Sequence, residues 1–118
     1  MSQIGDTKPA EAVFHARALA EIRGLPRVVR KAIGAAIWDL QLGRTLAMPL
    51  SKPLPGVAHG VHELRLHGET TQFRVIYCLR PGVGVVILSA FAKRTRRIPL
   101  QELRLARHRL KDLLNEEA

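Results

Sequence analysis

Alternating apolar and polar positions in the middle of the chain predict an antiparallel β-meander. Three short runs rich in Val, Ile, Leu and aromatic residues cover residues 61–66, 73–79 and 83–91. Residues 68–71 (GETT) separate the first two runs, and residues 80–82 (RPG) separate the second from the third. Short β-prone runs divided by turn residues are typical of strands joined by hairpins.

The same alternation assigns side chains to the two faces of the predicted sheet, because successive residues of a strand point to opposite sides. Leu64 and Leu66 share one face of the first strand, and Glu63, Arg65 and His67 share the other. The second strand divides in the same way, with Phe73, Val75 and Tyr77 on the core face and Arg74, Ile76 and Cys78 opposite. The pattern therefore predicts an arginine on the less apolar face of two neighbouring strands.

Spacings of three and four residues predict helices over residues 17–24, 28–42 and 100–114. Pro26 is suited to open the second helix and Gly43 to end it. The second and third helices each carry one apolar stripe, formed by Val29, Ile33, Ala36, Ile37 and Leu40 and by Leu103, Ala106, Leu110, Leu113 and Leu114. The first two helices are expected to form a hairpin that lies on the sheet.

The remaining segments carry weaker signals. Residues 10–15 resemble a short first strand, and residues 1–9 are expected to form a loose tail. Residues 44–60 contain three prolines and two glycines and predict a long irregular connection. A loop of that length is expected to be functional or to be packed down by its apolar side chains, Leu46, Met48, Leu50 and Leu54.

These elements predict one α+β domain over residues 1–118. Two N-terminal helices and a C-terminal helix pack on a small, twisted and mainly antiparallel sheet. The residues expected to be buried together in one core are Val29, Ile33, Ile37, Leu64, Leu66, Phe73, Val75, Tyr77, Leu103, Ala106 and Leu110. A chain of 118 residues is long enough for one core and too short for two independent ones.

Charge adds a candidate ligand class to this picture. The chain is 47% hydrophobic and 25% charged, which excludes wholesale disorder, and its formal net charge is +9. Residues 61–97 carry +5 of this charge, residues 1–60 carry +4, and residues 98–118 are neutral. Positive charge is therefore densest on the predicted sheet and the loop after it. This distribution favours a nucleic acid or another polyanion as the ligand, with solubility as the alternative explanation.

The sequence gives no support for a disulfide-bonded, membrane-spanning or secreted protein, or for a metal site. A single cysteine, Cys78, excludes an internal disulfide, fits the reducing cytoplasm, and is expected to be packed in its strand rather than to act as a nucleophile. The sequence contains no apolar run of about eighteen residues, so no membrane span is predicted. No secretory signal is expected either. The histidines at 15, 59, 62, 67 and 108 match no zinc spacing. We therefore expect no metal and no cofactor.

The pattern GVHELRL…FRVIY…VVILSAFAKRTRRIP…EL..AR.RL resembles the RelE/HigB superfamily of bacterial toxins, in its phage-derived HigB-like branch. The resemblance covers residues 10–114. It implies a small basic α+β protein that cleaves messenger RNA, usually on the translating ribosome. It also implies a cognate antitoxin, commonly a helix-turn-helix protein. Relatives often carry a histidine at the position of Ser89, so an acid or base at that point is not available here.

Metal-free RNA cleavage requires little of the protein, because the ribose 2′-hydroxyl of the substrate is the nucleophile. The protein must align this hydroxyl with the phosphorus and stabilise charge on the phosphoryl oxygens. Arg65 and Arg74 on adjacent strands are expected to bracket one phosphate, since a guanidinium meets phosphate with two hydrogen bonds. Lys93 and Arg94 are expected to stabilise the leaving oxygen or to position the strand. The resemblance supports Arg74 most strongly, followed by Lys93 or Arg94.

Further residues are expected to bind RNA, namely Arg96, Arg97, His67 and Arg107. Each has a structural alternative. Arg65 and Arg74 could pair with Glu63 or Glu69 across the strands. His67 could be a solvent-facing residue at a strand end, and Arg107 part of a solvated helix flank.

Two functional hypotheses remain open at this point. The first is a toxin with endoribonuclease activity, neutralised by an antitoxin that covers or distorts the Arg65, Arg74 and Lys93 face. The second is a degenerate, non-catalytic module that binds nucleic acid or antitoxin. The first hypothesis also expects the fold to survive removal of the Arg74 side chain, because that side chain is predicted to point away from the face on which the helices pack.

Overall fold

The computed structural model describes residues 8–117, so most of the predicted tail over residues 1–9 lies outside it. Eight elements follow one another along the chain: β1 (Ala12–Phe14), α1 (Ala16–Arg23), α2 (Arg27–Gln41), β2 (Ser51–Pro53), β3 (Val61–His67), β4 (Gln72–Arg80), β5 (Gly84–Lys93) and α3 (Leu100–Glu117). No helix in this part of the chain has the length and apolar character needed to cross a membrane.

The five strands form one sheet in the order β1-β5-β4-β3-β2. The pairs β2–β3, β3–β4 and β4–β5 are antiparallel, whereas β1 pairs with β5 in parallel. The predicted α+β class, the central meander and the mainly antiparallel sheet are thus confirmed. Gly84, with a φ of 130°, lets β1 approach β5, because a Cβ atom there would lie 2.3 Å from the Glu11 carbonyl oxygen.

The segment predicted as a long irregular connection contains an additional strand. Ser51–Pro53 pairs with residues 62–64 at the outer edge of the sheet. The β-propensity of the sequence does not predict this strand, because it contains Pro53. Proline is tolerated in an edge strand, but its presence in a sequence argues against a strand. Leu46 and Leu54 pack against the core as expected, whereas Met48 and Leu50 are exposed.

The apolar side chains form two clusters, one on each side of the sheet, and the prediction of a single core is wrong in this respect. Helices α1 and α2 cover the face that carries Leu64, Leu66, Phe73, Val75 and Tyr77. Helix α3 covers the opposite face, where Ala106 and Leu110 pack with Ile76, Cys78, Val86 and Leu88. Residues 73–78 of β4 are all buried, so this strand requires a cover on both faces.

An ion pair between α1 and α3 completes the edge of the sheet. Strand β1 pairs only with residues 85–87 of β5, which leaves later backbone groups of β5 without a neighbouring strand. Glu21 accepts a hydrogen bond from the Ala90 amide at 3.1 Å, and Arg109 donates one to the Leu88 carbonyl at 2.9 Å. The Arg109 guanidinium also donates to both carboxylate oxygens of Glu21, at 2.8 Å each. The Glu21–Arg109 pair therefore supplies hydrogen-bond partners to the β5 backbone where no neighbouring strand does so.

Two further residues behave as predicted. Tyr77 is buried, and its hydroxyl lies 2.6 Å from the Ser51 hydroxyl, which satisfies both polar groups inside the core. Cys78 is fully buried in β4, and burial raises the pKa of its thiol. A buried thiol that ionises less readily contributes to core packing and is a poor nucleophile.

Candidate nucleic-acid interface

The strand registers align three rows of side chains on the face of the sheet that α3 covers in part. The rows run from the middle of the sheet toward the end where β5 stops: Glu63, Ile76 and Ser89; then Arg65, Arg74 and Phe91; then His67, Gln72 and Lys93. Ile76 of the first row belongs to the apolar cluster under α3, and the partly buried Phe91 of the second row packs against that cluster. The polar residues of the later rows therefore lie where the helix cover ends.

A cationic cavity of about 500 Å³ opens at this end of the sheet. We name it the Lys93 cavity. Its walls are the β3–β4 turn, the start of β4 and the loop after β5, with the lining residues Gln72, Lys93, Arg94 and Arg96 and the threonines at 70, 71 and 95. Three of these side chains are cationic and none is a carboxylate. Such a lining favours an anionic ligand rich in oxygen atoms, such as a phosphate group.

Lys93 organises the loop that forms one wall of this cavity. Its ammonium group donates hydrogen bonds to the carbonyl oxygens of Thr95 and Arg96, the latter at 2.8 Å. Thr95 in turn donates from its hydroxyl to the Arg97 carbonyl at 2.5 Å. The loop thus folds back over Lys93 and leaves Arg94 and Arg96 exposed, and neither has an acidic partner within residues 8–115.

Arg74 lies behind this cavity and is only 2% exposed. Its two terminal nitrogens donate to the Phe73 carbonyl and to the Gln72 side-chain oxygen, each at 3.0 Å. Burial lowers the pKa of Arg74, an effect that Glu63 opposes and Arg65 increases. The expectation that Arg74 faces away from packed helices is wrong, because α3 packs on that face as well. Gln72 is the side chain that separates Arg74 from the Lys93 cavity.

The pairing of Arg74 with Glu63, weighed above as the structural alternative, is present. The Arg74 Nε and a Glu63 oxygen lie 3.6 Å apart, which is close enough for an ion pair but too far for a hydrogen bond. The Arg74 Nε and this Glu63 oxygen therefore have no hydrogen-bond partner among the described residues, and the same holds for the Ser89 hydroxyl. Buried polar groups without partners are rare and often occur at functional sites or at bound waters.

Arg65 lies directly opposite Arg74 on the neighbouring strand and is half-buried. One terminal nitrogen of its guanidinium donates to the Met48 sulfur at 3.5 Å. The two arginines are thus adjacent, as the sequence predicts. In this arrangement they do not bracket a phosphate, because both terminal nitrogens of Arg74 already donate to Phe73 and Gln72.

The other predicted RNA-binding residues lie in different places. Arg97 is exposed on the loop after β5 but does not line the Lys93 cavity. His67 is exposed and lines a separate cavity beside α2. Arg107 donates to the carbonyl oxygens of Val57 and Gly56, at 3.0 and 2.5 Å, and so holds the loop before β3 against α3. Its contacts are structural.

The sequence predicts no functional role for two residues of this region, Gln72 and Glu63. Gln72 links Arg74 to the cavity, but a single glutamine at the start of a strand gives no local signal. Glu63 appears in the sequence only as a possible pairing partner, and only the fold shows that its carboxylate is buried next to Arg74. Among the described residues, no group of three or more His, Cys, Asp or Glu side chains is placed to hold a metal ion.

Comparison with known proteins identifies a family for the chain. No curated protein is significantly similar to the chain. Residues 20–111 match the family model of phage-derived Gp49-like proteins (DUF891), which is a RelE/HigB-like toxin family associated with toxin–antitoxin systems. The matched segment begins in α1, ends in α3 and contains all of β3, β4 and β5. Because it covers well over half of the chain and includes the Lys93 cavity, the protein belongs to the phage-derived Gp49-like family.

Proposed function

We propose that the protein is the toxin of a type II toxin–antitoxin system and a metal-independent endoribonuclease. It cleaves messenger RNA in the cytoplasm, on the translating ribosome, by attack of a ribose 2′-hydroxyl on the adjacent phosphate. The observation that carries this proposal is the Lys93 cavity, which is lined by three cations and no carboxylate at the end of the sheet. The Gp49-like family match supports the same conclusion.

The exposed guanidiniums supply the chemistry that the reaction requires. Arg94 and Arg96 contact the phosphoryl oxygens and stabilise the charge that develops on them in the transition state. Lys93 keeps the loop folded so that both arginines face the cavity, and its charge lies close to the leaving oxygen. No histidine or carboxylate lines this cavity. As the P–O2′ bond forms and the P–O5′ bond breaks, solvent water takes the 2′-hydroxyl proton and supplies the proton of the leaving 5′-oxygen. Charge stabilisation and alignment of the 2′-hydroxyl therefore account for most of the rate in this mechanism.

Arg74 acts in this mechanism through Gln72. The oxygen of the Gln72 amide accepts the hydrogen bond from Arg74, so the amide NH₂ group is the part of Gln72 available to the cavity. Arg74 thereby fixes a neutral donor toward the phosphate and adds positive potential from behind it. Movement of Gln72 would bring the guanidinium itself to the phosphate, which is the arrangement that the family resemblance implies.

The non-catalytic alternative also has an observation in its favour. Arg74 is buried in contact with Glu63, and Ser89 stands where relatives often carry a histidine. A protein with this site would bind RNA or an antitoxin without cutting RNA. Induced expression distinguishes the two, because only a nuclease produces new 5′ ends in messenger RNA.

The test compares growth and messenger RNA ends after induction of the wild type, Arg94→Ala/Arg96→Ala and Arg104→Ala. Arg104 is an exposed arginine on α3 that lies outside the Lys93 cavity, so its removal controls for the loss of one positive charge elsewhere, against two in the double variant. We expect growth arrest and defined cleavage sites with the wild type and the Arg104 variant. The double variant should lose both. Absence of new ends with the wild type would support the non-catalytic alternative.

The family also supports an antitoxin as partner. We propose that the cognate antitoxin is a helix-turn-helix protein, encoded beside this protein, that covers the Arg65, Arg74 and Lys93 face. Hydrogen exchange of the complex should show protection of residues 93–97 and of the start of β4. Full inhibition with these segments unprotected would point instead to exclusion from the ribosome.

A further inference from the structure

A second cavity, of about 590 Å³, lies between the start of α2 and the β3–β4 turn. We name it the α2 cavity. Its walls are mainly apolar and include Pro26, Val28, Val29 and Phe73. Its volume falls within the range of about 300–1,000 Å³ that is typical of small-molecule sites. Val29 and Phe73 are buried core residues, whereas Val28 is 75% exposed and lies at the rim.

The α2 cavity and the Lys93 cavity share one wall. Thr70 and Thr71 of the β3–β4 turn line both of them. A ligand that extends across this turn therefore reaches from a cationic cavity into an apolar one. The two halves of a nucleotide, a charged phosphate and a flat base with apolar faces, differ in the same way.

The electrostatics of the α2 cavity indicate which half enters it. Glu69 lines this cavity and repels a phosphate. Its carboxylate can instead accept a hydrogen bond from the amino group of a base, and the hydroxyls of Thr70 and Thr71 can donate or accept. Apolar walls with a few polar groups at the rim are the usual environment of an unstacked RNA base.

The surroundings of the α2 cavity are suited to the rest of an RNA strand. Arg27, Arg30 and Lys31 lie on the first turns of α2 and are exposed. None of the three forms a salt bridge within the described part of the chain. Positive charge next to an apolar cavity favours a single-stranded nucleic acid, whose affinity combines phosphate contacts with burial of bases.

We propose that the α2 cavity binds one base of the RNA strand whose phosphate occupies the Lys93 cavity. This inference rests on the proposed binding of RNA at the Lys93 cavity and adds a specificity site to it. Because Glu69 accepts hydrogen bonds, the cavity prefers a base with an amino group, that is adenine, cytosine or guanine over uracil.

The test measures the affinity of short single-stranded oligoribonucleotides that carry one abasic position, moved along the strand. The phosphates are unchanged in this series, so only the contribution of each base varies. We expect the wild type to lose about 5- to 150-fold in affinity when one particular base is removed, since the burial of a base against side chains contributes about 1–3 kcal/mol.

Val28→Glu is the informative variant, because it places a charge at the rim of the α2 cavity without changing the buried core. Leu42→Glu is the matched control. Leu42 is 41% exposed at the other end of α2 and lines neither cavity. Both changes alter the net charge equally, so their general effect on RNA affinity is similar. We expect Val28→Glu to reduce the ratio of intact to abasic affinity to near one, and Leu42→Glu to keep the wild-type ratio.

The outcomes separate this inference from the proposed function. If the wild type binds RNA with no position-dependent loss, or if Val28→Glu keeps the wild-type ratio, the α2 cavity is not a base site. Loss of an antitoxin complex in both variants, with the base ratio intact, would assign this face of α2 to a protein. If the wild type binds no RNA even at low salt, the proposed function fails, and the inference fails with it.

Discussion

Two buried arginines on the α3 side of the sheet show how the same residue type can be held in different ways. Arg109 is 5% exposed and Arg74 is 2% exposed. Arg109 makes two hydrogen bonds of 2.8 Å to the Glu21 carboxylate and one of 2.9 Å to a backbone carbonyl. Arg74 instead lies 3.6 Å from its nearest carboxylate oxygen, and its two hydrogen bonds go to neutral groups.

The difference separates a structural ion pair from one beside the candidate functional site. A fork-to-fork contact between guanidinium and carboxylate is the strongest arrangement for such a pair, and Glu21–Arg109 uses it to join α1 to α3. Each arginine leaves its Nε without a partner, but only the Arg74 pair also leaves an unpaired carboxylate oxygen, on Glu63. Arg74 thus makes no hydrogen bond to its partner carboxylate, whereas Arg109 makes two. Arg74 also lies next to the Lys93 cavity.

The largest expected effect comes from breaking the tighter pair. Glu21→Ala leaves the Arg109 guanidinium buried without a counter-charge and should lower the free energy of unfolding by about 3–5 kcal/mol. Denaturant unfolding measures this loss. Arg109→Met combined with Glu21→Ala should recover part of it, because an apolar side chain needs no partner. A loss below about 1 kcal/mol in the single variant would show that the pair does not hold α1 to α3.

The looser pair should have a smaller effect on stability and a larger one on activity. Arg74→Ala leaves Glu63 buried and unpaired, and should cost about 2–3 kcal/mol of unfolding free energy. It should also lower cleavage of a defined messenger RNA about a hundredfold, measured at a temperature where the variant is folded. Arg74→Lys should restore only part of the activity, since a point charge cannot reproduce the guanidinium fork. Full cleavage by folded Arg74→Ala would remove Arg74 from the mechanism.

Salt dependence sharpens the distinction between exposed and buried cations. Arg94→Ala and Arg96→Ala should each reduce the slope of log affinity for single-stranded RNA against log salt by about 0.7, because each removes one phosphate contact. Arg104→Ala should leave the slope unchanged, and melting temperatures serve as the control for folding. Equal slopes for all three variants and the wild type would exclude the Lys93 cavity as the phosphate site.

The smallest expected effect concerns Glu102, which lies in the first turn of α3 near the Glu21–Arg109 pair. Burial raises the pKa of its carboxyl group, Glu21 raises it further, and Arg109 lowers it in part. A carboxyl whose pKa is higher in the folded state stabilises the protein below its unfolded pKa of about 4.3, and this contribution is lost as the pH rises through the folded value.

Glu102→Gln should therefore raise the unfolding free energy at pH 7 by less than about 1 kcal/mol, because the side chain is partly exposed and its charge is favourable near a helix N-terminus. The gain should shrink as the pH falls toward 4. Unfolding curves of the two proteins at both pH values measure the difference. A gain that grows at low pH would contradict the direction of the shift.

Local periodicity predicted much of the fold and part of the candidate site. The three central strands, the three helices and the placement of Arg65 and Arg74 on adjacent strands follow from spacings of two, three and four residues. The positions of Lys93, Arg94 and Arg96 at the end of β5 follow from the same alignment. The predicted strand ends differ from the observed ones by one or two residues, since turn residues blur these limits.

The sequence by itself therefore determined the three helices, the strands β1, β3, β4 and β5, and the face of each that packs under α1 and α2 or carries the helix stripes, because these properties depend on neighbours a few positions away. Only the tertiary structure decided that α3 covers the second face of the sheet, that Arg74 is buried beside Glu63, and that Glu21 and Arg109, 88 positions apart, hold the sheet edge. These contacts join segments that are distant along the chain, and no local spacing encodes which distant side chain will meet a buried charge.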